Sequence, residues 1–140
     1  MARSDVVTFD GCILDLNQLV LADAGAWRIG MFTNNHTPTQ ADTPANYTPP
    51  TFSGYAMQPI SGWDPAAYFG GVDVHIPATA YNEWQPSAGT SLPQTVYGVY
   101  VTDGGTDLLF AEKFAVSFDF VDTGSILRYL PRIYAGLLPP

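Results

Sequence analysis

The sequence predicts a single all-β domain, a β-sandwich or jelly-roll-like fold with a short amino-terminal helix and a long Pro-rich loop. Three observations point there: short runs that alternate apolar and polar residues, Gly- and Pro-rich turns between them, and one unmistakable hairpin signal. At 140 residues the chain fits one domain and buries roughly two-thirds of its unfolded surface. Its single cysteine, Cys12, has no internal disulfide partner, so the fold must stand on packing alone. Cys12 itself reads as a small buried apolar residue.

The first run, Cys12 to Leu21, places Ile13, Leu16 and Val20, with Leu19 alongside, on one helical face, and Asp10 is available as its cap. A strand competes, because the run is short and its other positions also carry leucines. Ala26 to Thr33 alternates Trp27, Ile29 and Met31 against Arg28 and Gly30, a strand with one buried face.

Residues 34–51 then form a Thr/Pro/Asn-rich arm, whose polar stretch Asn34 to Pro50 holds four prolines and almost nothing to bury. Structureless connections longer than about 12–15 residues are uncommon inside compact domains and usually bind something or are disordered. Proline fixes φ and biases its predecessor toward extended backbone, so a semi-rigid arm that lies along a neighbouring surface is expected. Its expected subunit contacts are Asn34, Asn35, His36, Thr37, Pro38, Pro44, Tyr47, Pro49 and Pro50.

Strand character resumes at Phe52 to Met57. Val72 to Ile76 alternates cleanly, with Asp73 and His75 opposite the aliphatics. Between them, Gly62-Trp63-Asp64-Pro65 and Gly70-Gly71 mark turns. Thr79 to Trp84 is a further expected strand, with Thr79, Tyr81 and Glu83 on one side and Ala80 and Trp84 on the other. The hairpin follows: Thr95 to Thr102 and Leu108 to Phe114, both rich in β-branched and aromatic residues, flank Asp103-Gly104-Gly105-Thr106. Ser125 to Leu130 is the last expected strand, before a tail that ends Leu137-Leu138-Pro139-Pro140. Six or seven short strands in this order suit a sandwich, jelly roll or open barrel.

Thirteen acidic residues against 5 basic ones leave a net charge of -8, and Arg3, Arg28, Lys113, Arg128 and Arg132 are scattered along the chain. No cationic cluster is present to displace counterions, so neither nucleic acid nor an anionic membrane is an expected partner. Charged residues make up 13% of the chain, about half the usual share of about 25%, while aromatic residues reach 14%. A charge-poor, aromatic-rich exterior resembles the centre of a protein interface and points to association, including with further copies of the chain. No run approaches the roughly 18 apolar residues of a membrane span, and the opening MARSDVVTFDG lacks the apolar centre of a signal peptide. A soluble protein made in a cytoplasm is the expectation, which leaves the sequons Asn35-His36-Thr37 and Asn46-Tyr47-Thr48 as chance matches.

Catalytic chemistry finds little to use, and no enzyme is expected. The two histidines are His36, inside the polar arm, and His75, on the polar face of a strand. The two glutamates, Glu83 and Glu112, would be the acid and base of a glycosidase, yet Glu112 beside Lys113 describes a solvated hairpin face and Glu83 caps an edge. Asp103 and Asp107 bracket a plain hairpin turn whose spacing matches no EF-hand. No phosphate-binding loop, cofactor motif or metal-ligand spacing occurs. One binding alternative has its own residues: Trp63, Tyr68, Tyr81 and Trp84 cluster in sequence, and aromatic rings suit the apolar faces of sugars, as in a carbohydrate-binding adhesion module.

The order of signatures is specific: a hydrophobic opening run, a strand ending MFTNNHTPT, then ADTPANYTPPTFSGYA, then QTVYGVYVTDGGTDLLFAEKF, and a closing LRYLPRI. From Cys12 to Ile133, with a loose stretch over residues 61–93, the chain resembles small virion structural proteins of tailed bacteriophages and prophages. That resemblance implies a structural role in a phage particle, assembled in the host bacterial cytoplasm, as a capsid cement or decoration protein. The partners it implies are the major capsid protein or other virion subunits, and a tail or fibre position stays open beside the head.

Overall fold

The computed structural model describes residues 27–60, 62–63, 67–69, 73–104 and 107–136, with the backbone course alone given for residues 67–69, 73–77 and 133–136. The run Cys12 to Leu21, with its helix and strand alternatives, lies outside the described residues, as does the carboxy-terminal tail from residue 137.

The chain is all-β. The described strands are β1 (Arg28–Phe32), β2 (Gln58–Pro59), β3 (Ala67–Phe69), β4 (Asp73–Pro77), β5 (Asn82–Trp84), β6 (Gln94–Thr102), β7 (Leu108–Phe120), β8 (Leu127–Tyr129) and β9 (Arg132–Gly136). They form a four-stranded sheet ordered β2-β1-β6-β7, a three-stranded sheet ordered β3-β4-β9, and the pair β5-β8. Every pairing is antiparallel.

Several expectations shift. Phe52 to Met57 is not a strand: the Tyr55 amide donates to the Phe52 carbonyl at 3.2 Å across a turn in which Gly54 takes φ 90°. Glycine suits that position because a Cβ there is strained by the positive φ and would also stand 2.9 Å from Ser87 Oγ. The strand expected over Thr79 to Trp84 contracts to β5, where Asn82 and Trp84 are buried and Glu83 is exposed. The closing strand contracts to β8, and β3 and β9 are strands where the sequence reading had a turn region and a tail. Short segments of weak periodicity such as Ala67–Phe69 acquire strand geometry from the neighbour they pair with, here β4.

The hairpin is present and longer than expected. β7 runs 13 residues, to Phe120. Its register with β6 jumps from Gly98↔Lys113 to Val96↔Phe118, so Tyr97 alone stands opposite Phe114, Ala115, Val116 and Ser117. This bulge turns Phe114 toward the core and leaves Val116 82% exposed.

The main core gathers Trp27 just before β1, Ile29 and Met31 from β1, Val96, Val99 and Val101 from β6, Phe120 from β7 and Trp84 from β5, with Phe52, Ile60 and Ala78. Leu127, Tyr129 and Leu130 pack against it, so the four-stranded sheet and the β5-β8 pair contribute to one apolar cluster. Trp84 is fixed there by its indole N–H, which donates to the Ala56 carbonyl at 3.0 Å. Asn82, buried beside it, donates to Gln58 Oε1 and the Pro59 carbonyl, both at 3.1 Å, which ties β5 to β2.

β1 does not have one buried face, as its alternation suggests, but two. Phe32 points away from the main core and is fully buried in a second cluster with Tyr47 and Tyr100. The cover comes from the Pro-rich segment, and that cover is the feature from which the functional surface is built.

Candidate functional site

A polar run is cheap to leave in water, so the prolines of residues 34–50 suggest an outstretched arm. The structure instead closes the segment on itself. The Thr33 amide donates to the Thr48 carbonyl at 2.8 Å, and the Asn34 side chain bridges the base, donating to the Asn46 carbonyl and accepting from the Thr48 amide, each at 2.8 Å. A short 3-10 turn over Pro44–Asn46 sits at the far end, entered by Pro44 where a missing N–H costs nothing, with the Thr43 amide donating to Asn46 Oδ1 at 2.8 Å. The result is a compact surface loop with its ends together.

Tyr47 is the anchor. It is 3% exposed, stacks on Tyr100 at 5.1 Å and 14°, and meets the edge of Phe32 at 5.0 Å. Without it the outward rings of Phe32 and Tyr100 would lie open to water. The physical reason for the closed loop is therefore apolar demand on the sheet, not any preference within the polar run.

Asp42 organises the polar side. Its Oδ2 accepts from the Tyr47 hydroxyl at 2.6 Å and the Thr39 amide at 3.0 Å and lies 2.7 Å from His36 Nε2, while Oδ1 accepts from Thr39 Oγ1 at 2.7 Å. The Tyr47 hydroxyl chiefly, then the Thr39 amide and hydroxyl and His36, hold the carboxyl well below its usual range, against an opposing push from partial burial. The same environment raises the Tyr47 phenol: burial first, then the Asp42 charge. With its oxygens filled from within the loop, Asp42 acts as a fastener.

The expected contact residues thus divide. Asn34 and His36 are bonded within the loop, Tyr47 packs on the sheet and Pro50 is buried; Asn35, Thr37 and Pro49 are exposed, and Lys113 Nζ reaches Thr37 Oγ1 at 3.4 Å. Pro38 lies on a groove of about 690 Å³, one wall of which is Pro38, Thr39, Gln40, Asp42 and Tyr47. The opposite wall is Leu108, Leu109, Phe110 and Ala111 of β7. Sequence reasoning missed both Asp42 and this wall. Asp42 had a signal, being the one carboxylate in a run otherwise rich in hydrogen-bond donors; the wall had none, because an edge strand and a central strand carry the same residues.

Among the other candidates whose side chains are described, Trp63 and Trp84 share the main core while Tyr81 stands clear of it. Of the aromatic set, Trp84 is in the core, Trp63 is half-buried with its ring 5.7 Å from Trp27, Tyr81 is 65% exposed, and Tyr68 lies on β3. Glu83 sits directly across from Arg128 in the β5-β8 pair and binds its Nε at 2.5 Å, whereas Glu112 accepts from the Tyr129 hydroxyl. His75 is on β4, paired with Ala67 and Tyr134. In the hairpin turn the Asp107 amide donates to Asp103 Oδ1 at 3.2 Å. Among the described residues no three His, Cys, Asp or Glu side chains gather as a metal site would require, and no helix is long and apolar enough to cross a membrane.

Compared with protein-family models, curated proteins and solved structures, the chain matches none.

Proposed function

We propose that this protein is a structural subunit of a tailed-bacteriophage virion, acting as a capsid cement or decoration protein that stabilises coat subunits, and that its sheets close as a β-sandwich or jelly-roll-like body. The observation that carries the proposal is the row of exposed aliphatic side chains along β7 and the following turn: Leu109 at 40%, Val116 at 82%, Val121 at 59% and Ile126 at 39%. Large apolar side chains exposed at intervals along one strand and the turn after it suit contact with other subunits spread along that strand. The low charge of the chain supports the same reading, and so does the order of signatures described above.

The sugar-stacking alternative has less to stand on, because Trp84 is committed to the core and Trp63 is half-buried against it, which leaves Tyr81 as the well-exposed ring among the described side chains of the set. The test is biochemical. Purified particles of the encoding phage or prophage are probed for this chain by mass spectrometry, and its copy number is compared with that of the coat protein; a fixed stoichiometry is expected. Absence from particles refutes the assignment.

A further inference from the structure

The groove between the Pro-rich loop and β7 offers apolar surface and few free polar groups. Leu108, Leu109, Phe110 and Ala111 form one wall, and Leu109 is 40% exposed. On the other wall the Tyr47 and Thr39 hydroxyls both donate to Asp42, so these three polar side chains are bonded to one another. An apolar occupant suits such a lining.

Strand register sets the groove beside the point where the chain enters the main sheet. Arg28, the first residue of β1, pairs with Thr102, and Thr102 pairs with Leu108. Two strand spacings, about 10 Å, therefore separate the entry from the groove wall. Val121 and Ile126 lie elsewhere: they follow Phe120, which pairs with Gln94 at the other end of β6, roughly 27 Å along the sheet from Thr102. Ahead of Trp27 the sequence carries the apolar run Cys12 to Leu21, with Ile13, Leu16, Leu19 and Val20 as its helical face. The connection from Leu21 to Trp27 spans up to about 20 Å when extended, about twice what the groove requires.

We infer that the run from Ile13 to Val20 folds back past the start of β1 and seats its aliphatic side chains in the groove between β7 and the Pro-rich loop. Its tether gives it an effective concentration on the order of millimolar at that wall, an advantage that a free segment of equal apolarity lacks. A second copy of this chain is further disfavoured as occupant by a net charge of -8 on each molecule. The run reaches the groove and not the distant Val121 and Ile126, which stay open to other subunits. The inference stands apart from the virion assignment, because it concerns how one molecule covers its own surface.

The experiment uses the full chain with Cys12→Ser and Gln18→Cys, a nitroxide on the introduced thiol and nitrogen-15 throughout. Position 18 lies opposite the face of Ile13, Leu16 and Val20, so the label leaves those side chains free to dock. Paramagnetic broadening should be strong at the amides of Thr39, Gln40, Leu109 and Ala111 and weak at those of Val121 and Ile126. Leu109→Asp, on an exposed side chain, should reduce the broadening at Thr39, Gln40 and Ala111 to the level of Val121. Leu16→Asp, which leaves both walls intact, should do the same. Broadening that is even along the sheet or strongest elsewhere overturns the inference, as does broadening at the groove that neither substitution reduces. Groove broadening that persists when nitroxide and nitrogen-15 are on separate copies overturns it too, because the occupant is then a second molecule.

Discussion

Tyr47 lies parallel to Tyr100 at 5.1 Å, a stacked pair that joins the middle of a polar, proline-rich loop to the outward face of a central strand. Replacing Tyr47 with alanine removes the ring that covers Phe32 and Tyr100 and should cost about 3–5 kcal/mol, read as a lower urea midpoint. Tyr47→Phe keeps the stack and loses only the donor to Asp42, so a smaller loss is expected. If Tyr47→Ala unfolds at the same midpoint as the parent, the ring does not anchor the loop.

Asp42 makes stability depend on acid. Its carboxyl is held below the ordinary value of 3.8, so between the folded and unfolded values the unfolded chain binds the extra proton. The stabilisation is fully present above the unfolded value and declines as pH falls through that range toward the folded one. Urea midpoints measured from pH 6 down to pH 2 should therefore fall for the parent, and Asp42→Asn should have a lower midpoint at pH 6 and a shallower fall. Parallel curves would show that Asp42 is not the group responsible.

Gly98 sits opposite Lys113 on β7 and beneath Phe32 of β1. A Cβ added there would collide with the Glu112 carbonyl and lie 2.6 Å from Phe32 Cζ. The carbonyl belongs to the paired strand and has little room to withdraw, so Gly98→Ala should cost about 1–3 kcal/mol or more, seen as a lower melting temperature. An unchanged melting temperature would mean that the β6-β7 ladder yields easily at this point.

Trp84 and Tyr81 separate packing from surface chemistry. Trp84→Ala should cost about 3–5 kcal/mol in a thermal or urea melt, because it opens a cavity and strands the Ala56 carbonyl. Tyr81→Ala, at an exposed ring, should stay within about 0.5 kcal/mol of the parent. A glycan array on which the parent binds and Tyr81→Ala does not would revive the sugar-binding alternative.

Val116 tests the proposed function directly. Val116→Asp falls on an 82% exposed side chain in the bulge, so the isolated protein should keep its melting temperature. Incorporation into particles, scored by mass spectrometry against the coat protein, should drop sharply. Normal incorporation would take this row of side chains out of the contact.

Strands whose pattern comes from one chemical contrast were legible in the sequence. The hairpin of β6 and β7 carries β-branched and aromatic residues around a Gly-Gly turn, and β1 and β4 alternate, so local propensity alone indicates them. The all-β class follows from the same signals. Phe52 to Met57 misled, because its aromatic alternation comes from a turn that points Phe52 into the core, and β3 and β9 were silent because pairing with β4 creates them.

Residue chemistry by itself determined that the chain would be β-rich, that it would lack a cationic surface, and that an unusual polar segment would interrupt it after the first strand. Tertiary structure decided where that segment goes, which of Trp84 and Tyr81 is buried, and which of the described strands flank β6 in the main sheet. The physical reason is that burial and edge pairing are properties of neighbours distant in sequence: Tyr47 has a slot only once Phe32 and Tyr100 stand side by side on paired strands, and β7 is an edge only because β6 occupies its other side.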